Sequence, residues 1–101
     1  MVAMNVTVSP QQIAEFCRKW EIKELALFGS VLRPDFRTDS DIDVLVVFAN
    51  DNRWDLWQFL EAQDELAALF GRKVDLVEKK NVTNPFRRHH ILSNKQVIYA
   101  A

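Results

Sequence analysis

Cysteine is all but missing from this chain, with Cys17 the single thiol in 101 residues. One cysteine forms no internal disulfide and no Cys-based zinc site, and two histidines do not make up the difference. A reducing cytoplasm is the simplest setting for such a sequence. Neither sign of charge dominates: 13 basic against 14 acidic residues leave a net charge of −1, so no overall field draws in nucleic acid. Long hydrophobic runs are missing too, since no stretch approaches the roughly 20 apolar residues of a membrane span. The start, Met-Val-Ala-Met-Asn-Val, has neither the basic region nor the long apolar core of a signal peptide. There are no internal repeats and no low-complexity tracts.

What is present is the balance of a soluble globular protein, 49% apolar and 27% charged. At 101 residues the expectation is one domain, 1–101, burying about 60–70% of the surface its unfolded chain exposes, with no room for a separate substrate domain. Ser9-Pro10 reads as a cap followed by proline at the first helical position, opening a helix over 10–19 with Ile13, Phe16, Cys17 and Trp20 at helical spacing. Cys17 is expected in the core. Residues 22–28 read as a strand, and 42–48 as a central strand, because the run after Asp43 shows no polar alternation. Asn50-Asp51-Asn52 is a plausible cap for a helix over 53–70 that places Leu56, Phe59, Leu60, Gln63, Leu66, Ala67 and Phe70 on one face and stops at Gly71. Trp54 and Trp57 widen its apolar stripe. A wide core edge is the preferred reading, and a partner-binding patch the alternative.

Residues 73–78 read as a further strand, 84–93 as a short helix and 97–99 as a last edge strand. Glu78 is expected to decorate a strand end. The cluster Arg87-Arg88-His89-His90 reads as a solvated helix end, with an RNA or partner contact as the alternative.

The chemistry concentrates between Leu27 and Phe48. A strand runs into Gly29-Ser30, and after a polar connector the next strand opens with Asp41 and Asp43. Side chains alternate along a strand, so Asp41 and Asp43 share a face and their like charges repel. A divalent cation between them removes that cost, and magnesium suits carboxylate, water and phosphate oxygens. Gly29 lets the backbone approach a phosphate closely, and Ser30 can cap the next helical turn with its hydroxyl toward a ligand. Asp75, set in a short apolar strand, costs stability unless it is paired or metal-bound. Arg33 has two readings, a guanidinium on a triphosphate or an ion pair with Asp35 or Asp39 that pins the connector. Ser40 is expected to bond the backbone where the strand begins.

These residues resemble the minimal nucleotidyltransferases of the polymerase-beta-like superfamily: a strand into Gly29-Ser30, Arg33 shortly after, Ser40-Asp41-Ile42-Asp43 leading an apolar strand, and Asp75 in Lys73-Val-Asp75-Leu-Val77 as the third acid. The match covers nearly the whole chain. Leu32 and Pro34 depart from the small residue and the glycine common at those places, and both bear only on the path of the loop. The resemblance implies an α/β (α+β) fold, a small mixed β-sheet flanked by helices. It implies two magnesium ions held by Asp41, Asp43 and Asp75, with ATP as substrate over Gly29, Ser30, Arg33 and Ser40. The implied reaction transfers AMP to a hydroxyl, as the antitoxin half of a toxin–antitoxin pair acting on a tyrosine of a helical HEPN toxin. The competing expectation is a binding module that neutralises its partner by contact alone. Homo- or hetero-oligomeric state is left open by the sequence.

Overall fold

The computed structural model describes residues 2–3, 6–33, 41–49 and 54–101. Two short strands, β1 (Val2–Ala3) and β2 (Val6–Thr7), pair antiparallel. The rest is a mixed sheet of four strands, β3 (Ile22–Phe28), β4 (Ile42–Phe48), β5 (Val74–Glu78) and β6 (Gln96–Ala100), in the order β5-β4-β3-β6. β4 is antiparallel to β3 and parallel to β5. A parallel step needs a long crossover, and helix α2 (Leu56–Phe70) supplies it. With α1 (Pro10–Lys19) and α3 (Pro85–Asn94), three helices flank the sheet, as expected for an α/β (α+β) fold.

Alternation along the strands divides the core in two. Leu25, Leu27, Ile42, Val44 and Val46 face α1 and α2, whereas Ala26, Phe28 and Leu45 face Val82 and Ile91 of the α3 layer. The central strands are therefore covered on both sides, which is why β4 reads as an unbroken apolar run. Each fully buried Leu or Ile side chain contributes roughly 1.5–3 kcal/mol by leaving water.

The helix boundaries have local causes. Ser9 Oγ accepts from Gln12 N with Pro10 at the first position of α1. The cap of α2 is Asp55, in a capping box with Gln58, and Asn50-Asp51-Asn52 lies outside the described residues. Gly71 closes α2 in the left-handed conformation at φ 67°. The expected face of α2 holds for most of its length, with Leu66 and Phe70 buried and Phe59 and Ala67 packed on the core, but Ala62 joins it while Leu56 is 67% exposed and Leu60 38%. The sheet face needs only that narrower stripe.

The two tryptophans separate accordingly. Trp54 packs edge-on against Trp20 at 5.1 Å and donates to Trp20 O, a core edge as expected, whereas Trp57 stands in solvent. Glu65 joins α2 to α1 by accepting from both Trp20 Nε1 and Lys19 Nζ at 2.9 Å. Glu78 corrects another expectation: it is buried, accepts from Asn81 and lies 3.7 Å from Lys80. Cys17 is fully buried, and desolvation pushes its thiol up to about 12, so it is an inert core residue. No described helix is long and apolar enough to cross a membrane.

Candidate active site

Register decides where the acids meet. Asp43 and Asp75 are direct partners across the parallel β4–β5 ladder, and side chains at paired positions leave the sheet on the same side. Asp41, two residues before Asp43, sits exposed at the entry of β4. All three thus gather at one end of the sheet, on the face covered by α3. Asp43 registers their company. Burial pushes its carboxyl above the ordinary range, the charges of Asp75 and Asp41 push it further, and Arg87 of α3 pulls it back.

Gly29 explains how β3 approaches so closely. Its φ is +76°, and a Cβ built there would lie 2.5 Å from Asp43 Oδ2. Only glycine leaves that carboxylate its place. The chain then makes a 3-10 turn, Gly29–Leu32, whose entry residue is Phe28. Ser30 is inside the turn and is not its cap: no side chain caps it, and Ser30 O accepts from Arg33 N at 3.0 Å. Ser40 and the rest of 34–40, including Asp35 and Asp39, lie outside the described residues.

Beside this turn opens a cavity of about 750 Å³. Gly29, Ser30 and Arg33 line one wall, and Arg87, His90 and Asn94 of α3 line the other. The solvated-end reading of the basic cluster holds for Arg87, His89 and His90, which are all exposed, although Arg87 and His90 also line the cavity. It fails for Arg88, which is half-buried and whose Nη1 donates to Lys79 O at 3.0 Å and Val82 O at 3.2 Å, pinning the segment before α3. The missed signal was helical spacing: 87, 90 and 94 fall on one face beside the buried Ile91.

The donor set suits a hard divalent cation, being carboxylate oxygens with excess negative charge around a partly desolvated Asp43. No three His, Cys, Asp or Glu side chains among the described residues form a closed metal cluster as they stand. Magnesium asks for less than that, because it commonly takes one or two protein carboxylates and completes its shell with water and substrate phosphate.

The profile of the nucleotidyltransferase domain matches residues 10–98. The protein adenylyltransferase MntA of Thermococcus cleftensis is 37% identical over 68 residues, covering 67% of each chain. A toxin–antitoxin crystal structure containing AMP-PNP superposes with a TM-score of 0.72 at 21% identity, over 93% of this chain and 75% of that one. A Shewanella oneidensis MNT antitoxin structure, in complex with a tri-AMPylated HEPN toxin, gives 0.63 at 20% identity, over 91% and 70%. With the family model matching almost the full length and the fold shared with these structures, the chain belongs to the nucleotidyltransferase domain family.

Proposed function

We propose that this chain is a cytoplasmic, magnesium-dependent protein adenylyltransferase, a single domain over 1–101 that transfers AMP from ATP to a tyrosine hydroxyl of a HEPN-type partner and so acts as its antitoxin. The observation that carries this reading is the in-register pair Asp43–Asp75, with Asp41 at the head of the same strand and the Cβ-free Gly29 against Asp43. Relatives named as adenylyltransferases and fold neighbours solved as toxin–antitoxin complexes supply the class of acceptor.

Asp41, Asp43 and Asp75 would hold the magnesium, which when bound neutralises charge on the attacking and leaving oxygens. Gly29 and Ser30 receive the polyphosphate. The hydroxyl oxygen bonds to the α-phosphorus, the bond from that phosphorus to the β-phosphate bridge oxygen breaks, and pyrophosphate leaves. The exposed carboxylate of Asp75, at the rim, takes the hydroxyl proton. Burial around Asp43 matters because fixed charges act more strongly away from bulk water.

The test is incubation of the chain with magnesium, ATP labelled at the α-phosphate and its HEPN-type partner. Label should pass to the partner, and Asp41→Asn with Asp43→Asn should abolish transfer while leaving the circular dichroism spectrum intact. Transfer by the double variant would sink the proposal. Complex formation without label in the parent would favour neutralisation by contact alone.

A further inference from the structure

The two neighbouring arginines of α3 are used differently. Arg88 is half-buried and committed to backbone oxygens. Arg87, one residue earlier, lines the large cavity, and among the described residues its guanidinium has no hydrogen bond or ion pair. Among the described residues the charge lining the cavity comes from Arg33 and Arg87, with His90 beside them and no carboxylate. Gly29 and Ser30, proposed above to receive the polyphosphate, stand across from Arg87 and His90.

We propose that Arg87 is a positioning residue that grips the β- and γ-phosphates of the bound nucleotide, making α3 the second wall of the polyphosphate subsite opposite Gly29 and Ser30. The inference rests on the nucleotide reading of the site and adds to it the element that faces the turn. A guanidinium fork matches two phosphate oxygens at once, which a point charge does not. The layer order makes the arrangement possible: α3 covers the same sheet face from which Asp43 projects, so a helix far along the chain delivers its cation beside the acids. There Arg87 serves as countercharge to Asp43 while the subsite has no phosphate in it. Its place on an exposed first turn of α3 leaves the long side chain room to swing to an incoming phosphate.

Titration of the full chain with ATP and with AMP, each in magnesium, tests this. Losing a charge-assisted contact of this kind should make Arg87→Met bind ATP about tenfold or more weakly, with AMP affinity changed by less than about twofold. Arg87→Lys should recover part of the loss, because it restores charge without the fork. ATP affinity unchanged in Arg87→Met, or ATP and AMP weakened together, would overturn the assignment. A parent chain that binds no ATP would instead overturn the nucleotide reading beneath it.

Discussion

Replacing each of the two glycines by alanine separates backbone strain from damage to the site. Both are at positive φ, +76° for Gly29 and +67° for Gly71, so both variants carry a left-handed alanine at a cost of about 1–2 kcal/mol. In a domain of this size each kcal/mol corresponds to about 4–8 °C in melting temperature, and the two variants should lose comparable amounts on that account. Their surroundings differ. A Cβ at Gly71 meets nothing within 4 Å, whereas at Gly29 it lies 2.5 Å from Asp43 Oδ2, a gap that must open by about 0.9 Å to reach ordinary contact. Asp43 is the end of a side chain and can turn aside, so the added stability cost is small. Its carboxylate then leaves its place, and an error of about 1 Å at a reacting centre costs on the order of a hundredfold. Thermal melts with a transfer assay should therefore show Gly71→Ala destabilised and active, and Gly29→Ala destabilised and about a hundredfold slower. Full activity in Gly29→Ala would refute the role given to that position of the Asp43 carboxylate; an unshifted melting temperature in both would refute the strain argument.

Two further predictions follow from charge and hydrogen bonding. Asp43 binds its proton more readily in the folded than in the unfolded chain, so its ionisation opposes folding above the raised value and that penalty fades as pH falls toward the ordinary 3.8. Asp43→Asn should accordingly melt higher than the parent at neutral pH without ligand, with the difference shrinking in melts taken at lower pH; a difference that grows on acidification would contradict the cause assigned. Arg88→Met removes two bonds to backbone oxygens and leaves half-buried carbonyls short of a donor, a loss of about 2 kcal/mol readable in urea denaturation.

Much of the architecture was legible along the chain because local rules wrote it. The span of α1 follows from Ser9-Pro10 and its apolar spacing, and the stop of α2 from Gly71. Double coverage of β4 follows from its unbroken apolar run. The acidic strand entry, the Gly-Ser end of β3 and Asp75 were visible as polar residues set against apolar strands, but the burial cost expected of Asp75 is not met, because Asp75 and Asp41 are exposed and only Asp43 is partly buried. The edge of the α2 stripe was not legible, since Leu56 and Leu60 fit a helical stripe as well as Ala62 does, and only the sheet beneath selects among them.

By itself, the sequence determined the elements from α1 onward, the candidate acids and the family pattern, all of them properties of residues within a few positions of one another, whereas β1 and β2 carried no signal that was read. Tertiary structure alone decided that Asp75 pairs with Asp43, that Gly29 must lack a side chain because of Asp43 Oδ2, and that Arg87 faces the cavity while Arg88 does not. Those relations join segments tens of residues apart, and they are set by strand register and by which face of the sheet each helix covers. Neither quantity has a local signature in the chain.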